Sequence, residues 1–186
     1  MVSVSRKNQT EEPASPAQQP EAAETAVASA WQTNGGSQQV VMFRLAEQLY
    51  ALPIESVQEI QQIVEFTPVP DGSPALVGMI DLRGGVVPAI DLRALIGLPV
   101  QDYALDTPMI FCRTHGRLVA LLVDGVEDVV LLPEGCMQPP SNLYDLAERM
   151  LGICKLPAGL VIILDPDRIV PDTTLSDKSL EREAFL

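Results

Sequence analysis

The sequence says the same thing twice. The segment "LYALPIESVQEIQQI" at 49–63 lies over "LVALLVDGVEDVVLL" at 118–132 with an offset of 69. Further on, "GMIDLRGGVVPAIDLRALI" at 78–96 lies over "GICKLPAGLVIILDPDRIV" at 152–170 with an offset of 74, so that Gly78/Gly152, Leu82/Leu156, Gly85/Gly159, Val87/Val161 and Asp91/Asp165 coincide. A chain with such a duplication has to build one supersecondary unit twice, and the difference between the offsets places a longer connector in the second copy. Either unit alone is small enough to be marginal, which predicts that the two pack together over a shared apolar seam.

The texture within each copy is that of β-structure. Short runs rich in Val, Ile and Leu are separated every few residues by polar or Gly/Pro turns. Strands are expected at 40–45, 49–52, 57–64, 76–82, 86–90, 109–113, 118–123, 126–132, 151–156 and 160–164, about five per unit, with units at about 40–100 and 107–170. One longer helix is expected in the second connector, "NLYDLAERM" at 142–150, where Asn142 can cap and Leu143, Leu146, Ala147 and Met150 share a face. Residues 1–39, dominated by Ala, Gln, Glu, Pro and Ser, bury too little apolar surface to offset chain entropy and are read as a disordered leader. Residues 171–186 form a tail, with a short helix expected from about Ser176.

The apolar fraction of 47% is ample for a core. A net charge of −13 gives no general support for binding nucleic acid or anionic lipid. No apolar run reaches the roughly 20 residues of a membrane helix, and the amino terminus lacks the layout of a secretory signal, so the chain reads as cytoplasmic with no membrane insertion. Cys112, Cys136 and Cys154 are odd in number and show no tight pairing or metal spacing. They are expected to be small hydrophobes in a reducing compartment, without a disulfide framework.

Asp-Leu-Arg occurs twice, at 81–83 and 91–93, and the repeat separates the two. Asp91 recurs as Asp165, each ending an apolar strand before a short helical run, which suits a carboxylate capping the first turn. Arg93 has no basic counterpart and is expected on a solvated helix face. Asp81 and Arg83 are replaced in the second copy by Lys155 and Pro157, so the hairpin does not require them. With Gly84 and Gly85 expected to supply positive φ, Arg83 sits at the hairpin's lip. Two readings stand: an exposed Asp81–Arg83 ion pair of little worth, or a planar cation presented to a partner.

Taken together, "FRLAEQLYALPIESVQEI", "TPVP", "GMIDLRGGVVPAIDLRALIGL", "RLVALLVDGVEDVVLLP" and "LDPDRIV" resemble the CheW-like domain family over residues 40 to about 170. The resemblance implies a mainly β fold of two packed five-stranded β-barrels with short helices, and no catalysis or cofactor. It also implies an adaptor that couples the cytoplasmic tips of chemoreceptors to the regulatory domain of a CheA-type histidine kinase in membrane-apposed arrays. An adaptor for twitching or another non-flagellar output is the alternative within the class. Carried over by position, the receptor- and kinase-binding candidates are Val57, Glu59, Gly78, Arg83, Val126 and Gly152. Read from the residues alone, Val57 and Glu59 recur as Val126 and Asp128 and could reflect duplication, Val126 suits a core, and Gly78 and Gly152 could serve close backbone approach. Asp81, Cys154 and Pro108 depart from the family's usual Asn, Gly and Val.

Catalytic chemistry has a thin inventory, with one histidine in the chain. His115 in "RTHGR" is expected in a hairpin turn. A small hydrolase using Cys112 and His115 is the reading from a different class, and two ligands fall short of a zinc site. The Pro-rich 67–74 reads as a rigid inter-strand loop.

Overall fold

All ten expected strands form, and their pairing departs from the order of the repeats. The computed structural model describes residues 38–69, 73–140 and 146–175. The strands are β1 (Gln39–Leu45), β2 (Gln48–Pro53), β3 (Val57–Gln62), β4 (Leu76–Leu82), β5 (Gly85–Asp91), β6 (Pro108–Thr114), β7 (Arg117–Leu122), β8 (Gly125–Leu131), β9 (Met137–Gln138), β10 (Met150–Leu156) and β11 (Gly159–Leu164). Three single-turn helices accompany them: α1 (Leu92–Leu95), α2 (Pro166–Ile169) and α3 (Asp172–Leu175). The two-residue β9 carries no alternating pattern of its own and escapes a reading by periodicity. The expected leader lies outside the described residues as far as residue 37, as does the expected helix from Ser176.

The repeat maps strand onto strand: β1 on β6, β2 on β7, β3 on β8, β4 on β10 and β5 on β11. Yet one sheet runs β8-β1-β2-β11-β10-β9 and the other β3-β6-β7-β5-β4. Each sheet therefore combines strands from both copies, and the sequence units at about 40–100 and 107–170 do not coincide with sheets. The exchange is made by two short connections. A 3-10 turn at Ile54–Ser56 carries the chain from β2 to β3, and Val123 with Asp124 carries it from β7 to β8. Parallel pairing of β2 with β11 and of β5 with β7 then joins the copies within each sheet.

Both sheets curl towards closure in the same way. The chain following β3 returns to β4, where Thr67 and Met79 exchange two backbone hydrogen bonds of 2.8 Å. The chain following β8 returns as β9, which pairs with β10 through Gln138↔Ile153 and Met137↔Cys154. Glycine makes both returns possible. A Cβ on Gly78 would lie 2.6 Å from the Thr67 carbonyl oxygen, and one on Gly152 would lie 2.8 Å from that of Gln138.

Strict alternation along the central strands buries both of their faces. Ile110 and Cys112 of β6 and Val119 and Leu121 of β7 face a core cluster that also takes Val41, Phe43, Tyr50 and Leu52 from the other sheet. That cluster is the expected shared seam. The intervening Met109, Phe111, Ala120 and Leu122 pack with Ile80, Val87 and Ala89 in a separate cluster inside one barrel.

Three expectations are corrected. Residues 142–145 of the expected helix lie outside the described residues, and its described end is a 3-10 turn at Ala147–Arg149 running straight into β10. Cys136 and Cys154 are joined by a disulfide, with Cα atoms 5.2 Å apart, because the β9–β10 register sets neighbouring positions side by side across an 18-residue separation. Arg93 is buried rather than solvated. Its Nη1 lies 2.5 Å from Asp124 Oδ2 and its Nε donates to the Pro99 carbonyl at 2.8 Å. Asp124 Oδ2 also accepts from Ala46 N at 2.6 Å, so one carboxylate ties α1, the β7–β8 link and the β1–β2 turn together.

Candidate protein-contact site

The β4–β5 hairpin closes at Leu82↔Gly85, leaving a two-residue turn of Arg83 and Gly84 with φ of 55° and 82°. Positive φ thus falls on Arg83 and Gly84, and Gly85 is the paired strand residue. Two consecutive residues in the left-handed region define the turn type that suits strand twist, and the first is most easily filled by Asn, Asp or Gly. An L-residue with a long side chain costs about 1–2 kcal/mol there. Asp81 braces the turn by accepting from Gly84 N at 2.9 Å, so it does not form the ion pair with Arg83 considered above.

Arg83 instead reaches β3. Its Nη2 donates to Glu59 Oε2 at 2.9 Å, with the Arg83 side chain 75% exposed and that of Glu59 20% exposed. Gln61, two residues along the same face of β3, donates to the same oxygen at 3.0 Å. The other carboxylate oxygen, Oε1, is buried without a hydrogen-bond partner among the described residues. The result is an exposed, forked cation at a hairpin tip, held by an acid whose second oxygen is buried.

The remaining candidates divide by role. Val57 and Val126 stand at equivalent points of β3 and β8, opposite Cys112 and Phe43, and both pack half-buried against the seam cluster. Each is followed by a β-bulge, so the duplication extends to strand irregularity. Gly78 and Gly152 are buried beneath the closing segments, Gly152 under Met137 and Gln138. Direct contact joins Glu59 to Arg83; the two glycines serve backbone approach.

The two expected caps form, and the two residues of the hydrolase reading take structural places. Asp91 Oδ1 accepts from Ala94 N at 3.2 Å and Asp165 Oδ1 from Asp167 N at 3.0 Å, the two expected caps. His115 and Gly116 form the β6–β7 turn with φ of 49° and 74°, and the imidazole Nε2 donates to the Val170 carbonyl at 3.0 Å. Cys112 lies fully buried in the seam, where burial, with Asp167 adding to it, pushes its thiol up to about 12. Such a thiol is protonated at neutral pH and is no nucleophile. A cavity of about 220 Å³ beside the connector is lined by Asp91, Arg93, Tyr103 and Asp124 among others, and includes none of the six candidates. Among the described residues no cluster of three metal-ligating side chains occurs, and no helix is long and apolar enough to cross a membrane.

Comparison with protein families matches residues 39–174 to the CheW-like domain. The chain belongs to the CheW-like family. The CheW-like domain is 29% identical over 154 residues to the chemotaxis protein CheW of Rhizobium meliloti, covering 82% of this chain and 94% of that protein. It is 31% identical over 135 residues to the chemotaxis protein CheW of Bacillus subtilis, covering 72% and 86%. Among solved structures, a scaffolding protein, TtCheW, from Thermoanaerobacter tengcongensis superposes with a TM-score of 0.67 at 30% identity, covering 72% of this chain and 92% of that one. The expected family and mainly β fold class are thus borne out.

Proposed function

We propose that this CheW-like protein is a non-catalytic adaptor that couples chemoreceptor cytoplasmic tips to the regulatory domain of a CheA-type histidine kinase, working in the cytoplasm at receptor arrays. The observation that carries the reading is Arg83, a long cation at a backbone position that resists it, largely exposed and steadied by Glu59. An exposed ion pair is worth only about 0–1 kcal/mol, which does no more than offset the cost of the turn, so folding gives no reason for arginine there. Recognition does. A guanidinium already held by Glu59 loses little rotamer freedom on binding, and its unused, exposed donors suit a polar helix surface that offers acceptors. Val57 and Val126 flank the seam as the half-buried apolar part of such a contact.

The test is titration of a receptor cytoplasmic-tip fragment into wild-type protein and Arg83→Ala. The variant is expected to bind about 30-fold more weakly, the loss of about 2 kcal/mol typical of a central anchor. Equal affinity would remove Arg83 from the site. Failure of the wild-type protein to retain a receptor fragment or a CheA-type kinase from its native extract would overturn the adaptor reading itself.

A further inference from the structure

The two barrels close at equivalent places by unequal means. In one, the return of Thr67 to Met79 is held by two backbone hydrogen bonds. In the other, β9 is only two residues long, and Cys136 immediately before it is bonded to Cys154 of β10. The repeat therefore supplies an internal comparison: the closure does not need a covalent bond, and one copy has one. We propose that Cys136 and Cys154 form a reversible thiol–disulfide site that fastens the closing strand β9 of its barrel in oxidising conditions and releases it in reducing ones.

The geometry fits the chemistry. A Cα separation of 5.2 Å lies in the range a disulfide spans without backbone movement, so the two thiols are preplaced for bonding. Their accessibility differs: Cys154 is fully buried, whereas Cys136 is half-buried and follows the exposed turn Pro133, Glu134 and Gly135. Oxidation by a small disulfide RSSR then has one order. The Cys136 thiolate attacks RSSR, forming a Cys136–SR mixed disulfide and expelling RS⁻; Cys154 as thiolate attacks the Cys136 sulfur and expels the second RS⁻. The two protons lost by the cysteines end on two RSH, and the two electrons lost by the protein reduce RSSR. Reduction reverses both steps through attack at Cys136. The third cysteine, Cys112, lies wholly buried in the seam and does not compete.

Release has a defined structural consequence. Without the bond, β9 holds to β10 only through its two-residue pairing, and Met137 and Gln138 are the atoms that cover Gly152. Loosening them uncovers the edge of β10 at Gly152 to Cys154.

The test equilibrates the full chain in glutathione buffers of graded redox ratio, quenches with acid, labels under denaturing conditions with a maleimide mass tag and reads intact mass. The expected result is a reversible passage from three tags to one on a monomer, with hydrogen exchange of the backbone amides at 136–138 about 10-fold slower in the oxidised form and no change at 66–69. Cys136→Ser should exchange like the reduced form in every buffer. Persistence of three tags under oxidation, formation of cross-linked dimers only, or equal exchange at 136–138 in both forms would overturn the proposal.

Discussion

Replacing Arg93 by Ala should be among the most damaging single changes in the protein. The side chain is 8% exposed, and its guanidinium holds Asp124 and the Pro99 carbonyl. Truncation removes two charge-assisted hydrogen bonds, each worth about 1.5–3 kcal/mol. It also leaves the Asp124 carboxylate with Ala46 N as its remaining described donor. Against this, the Asp124 side chain is 23% exposed, so water reaches it and the loss falls below the 3–5 kcal/mol of a fully buried broken pair. The balance is about 2–3 kcal/mol. With a urea m-value of about 2 kcal/mol per M for a domain of this size, the unfolding midpoint should fall by about 1–1.5 M. In a double-mutant cycle with Asp124→Asn, the two single losses should fail to add by at least about 1 kcal/mol. A midpoint within about 0.2 M of wild type, or strict additivity, would refute a buried tie and return Arg93 to the surface.

Three further outcomes are expected. Gly78→Ala drives a Cβ into the Thr67 carbonyl and should cost about 1–3 kcal/mol in a denaturation curve, whereas Arg83→Ala should change stability by less than about 0.5 kcal/mol. A silent Gly78→Ala would show that the barrel does not close there. The Tyr103 hydroxyl is raised above the ordinary tyrosine range, first by burial and then by its hydrogen bond and nearness to Asp91, so the native state holds this proton more tightly than the unfolded chain does. Its contribution is complete below about pH 10 and is lost as pH rises beyond; Tyr103→Phe should flatten the alkaline fall in urea midpoint, and an unchanged slope would count against the bond. Cys112 should resist maleimide at pH 8 in the native protein and react at once in denaturant, as read by mass; ready native labelling would contradict its burial.

The strands were legible because alternation and duplication report the same thing twice. What duplication leaves open is whose strand completes whose sheet, since equivalent strands such as β2 and β7 present equivalent edges to either copy of the hairpin. The long-range polar partners were equally silent. Arg93 meets Asp124 across 31 residues and Arg83 meets Glu59 across 24, whereas the local reading could offer Arg83 only its neighbour Asp81. Caps that act within three residues, at Asp91 and Asp165, were readable for the same reason in reverse. At the candidate site the exposed cation at the hairpin lip was legible. Its backbone conformation was not, because a pair of glycines after Leu-Arg points to the wrong residues for the turn. The disulfide was hidden by β9, too short to leave a pattern, yet the element that brings Cys136 to Cys154.

The exchange of strands sets what can be cut. Severing the connector near residue 100 would yield one peptide holding two strands of one sheet and three of the other, and a second holding the complement. Neither fragment could finish a sheet by itself, and mixing the two should restore both sheets at once. A single repeat unit alone would face the same shortage, because the strands that complete each sheet are lent by the other copy, and the connector keeps lender and borrower within reach.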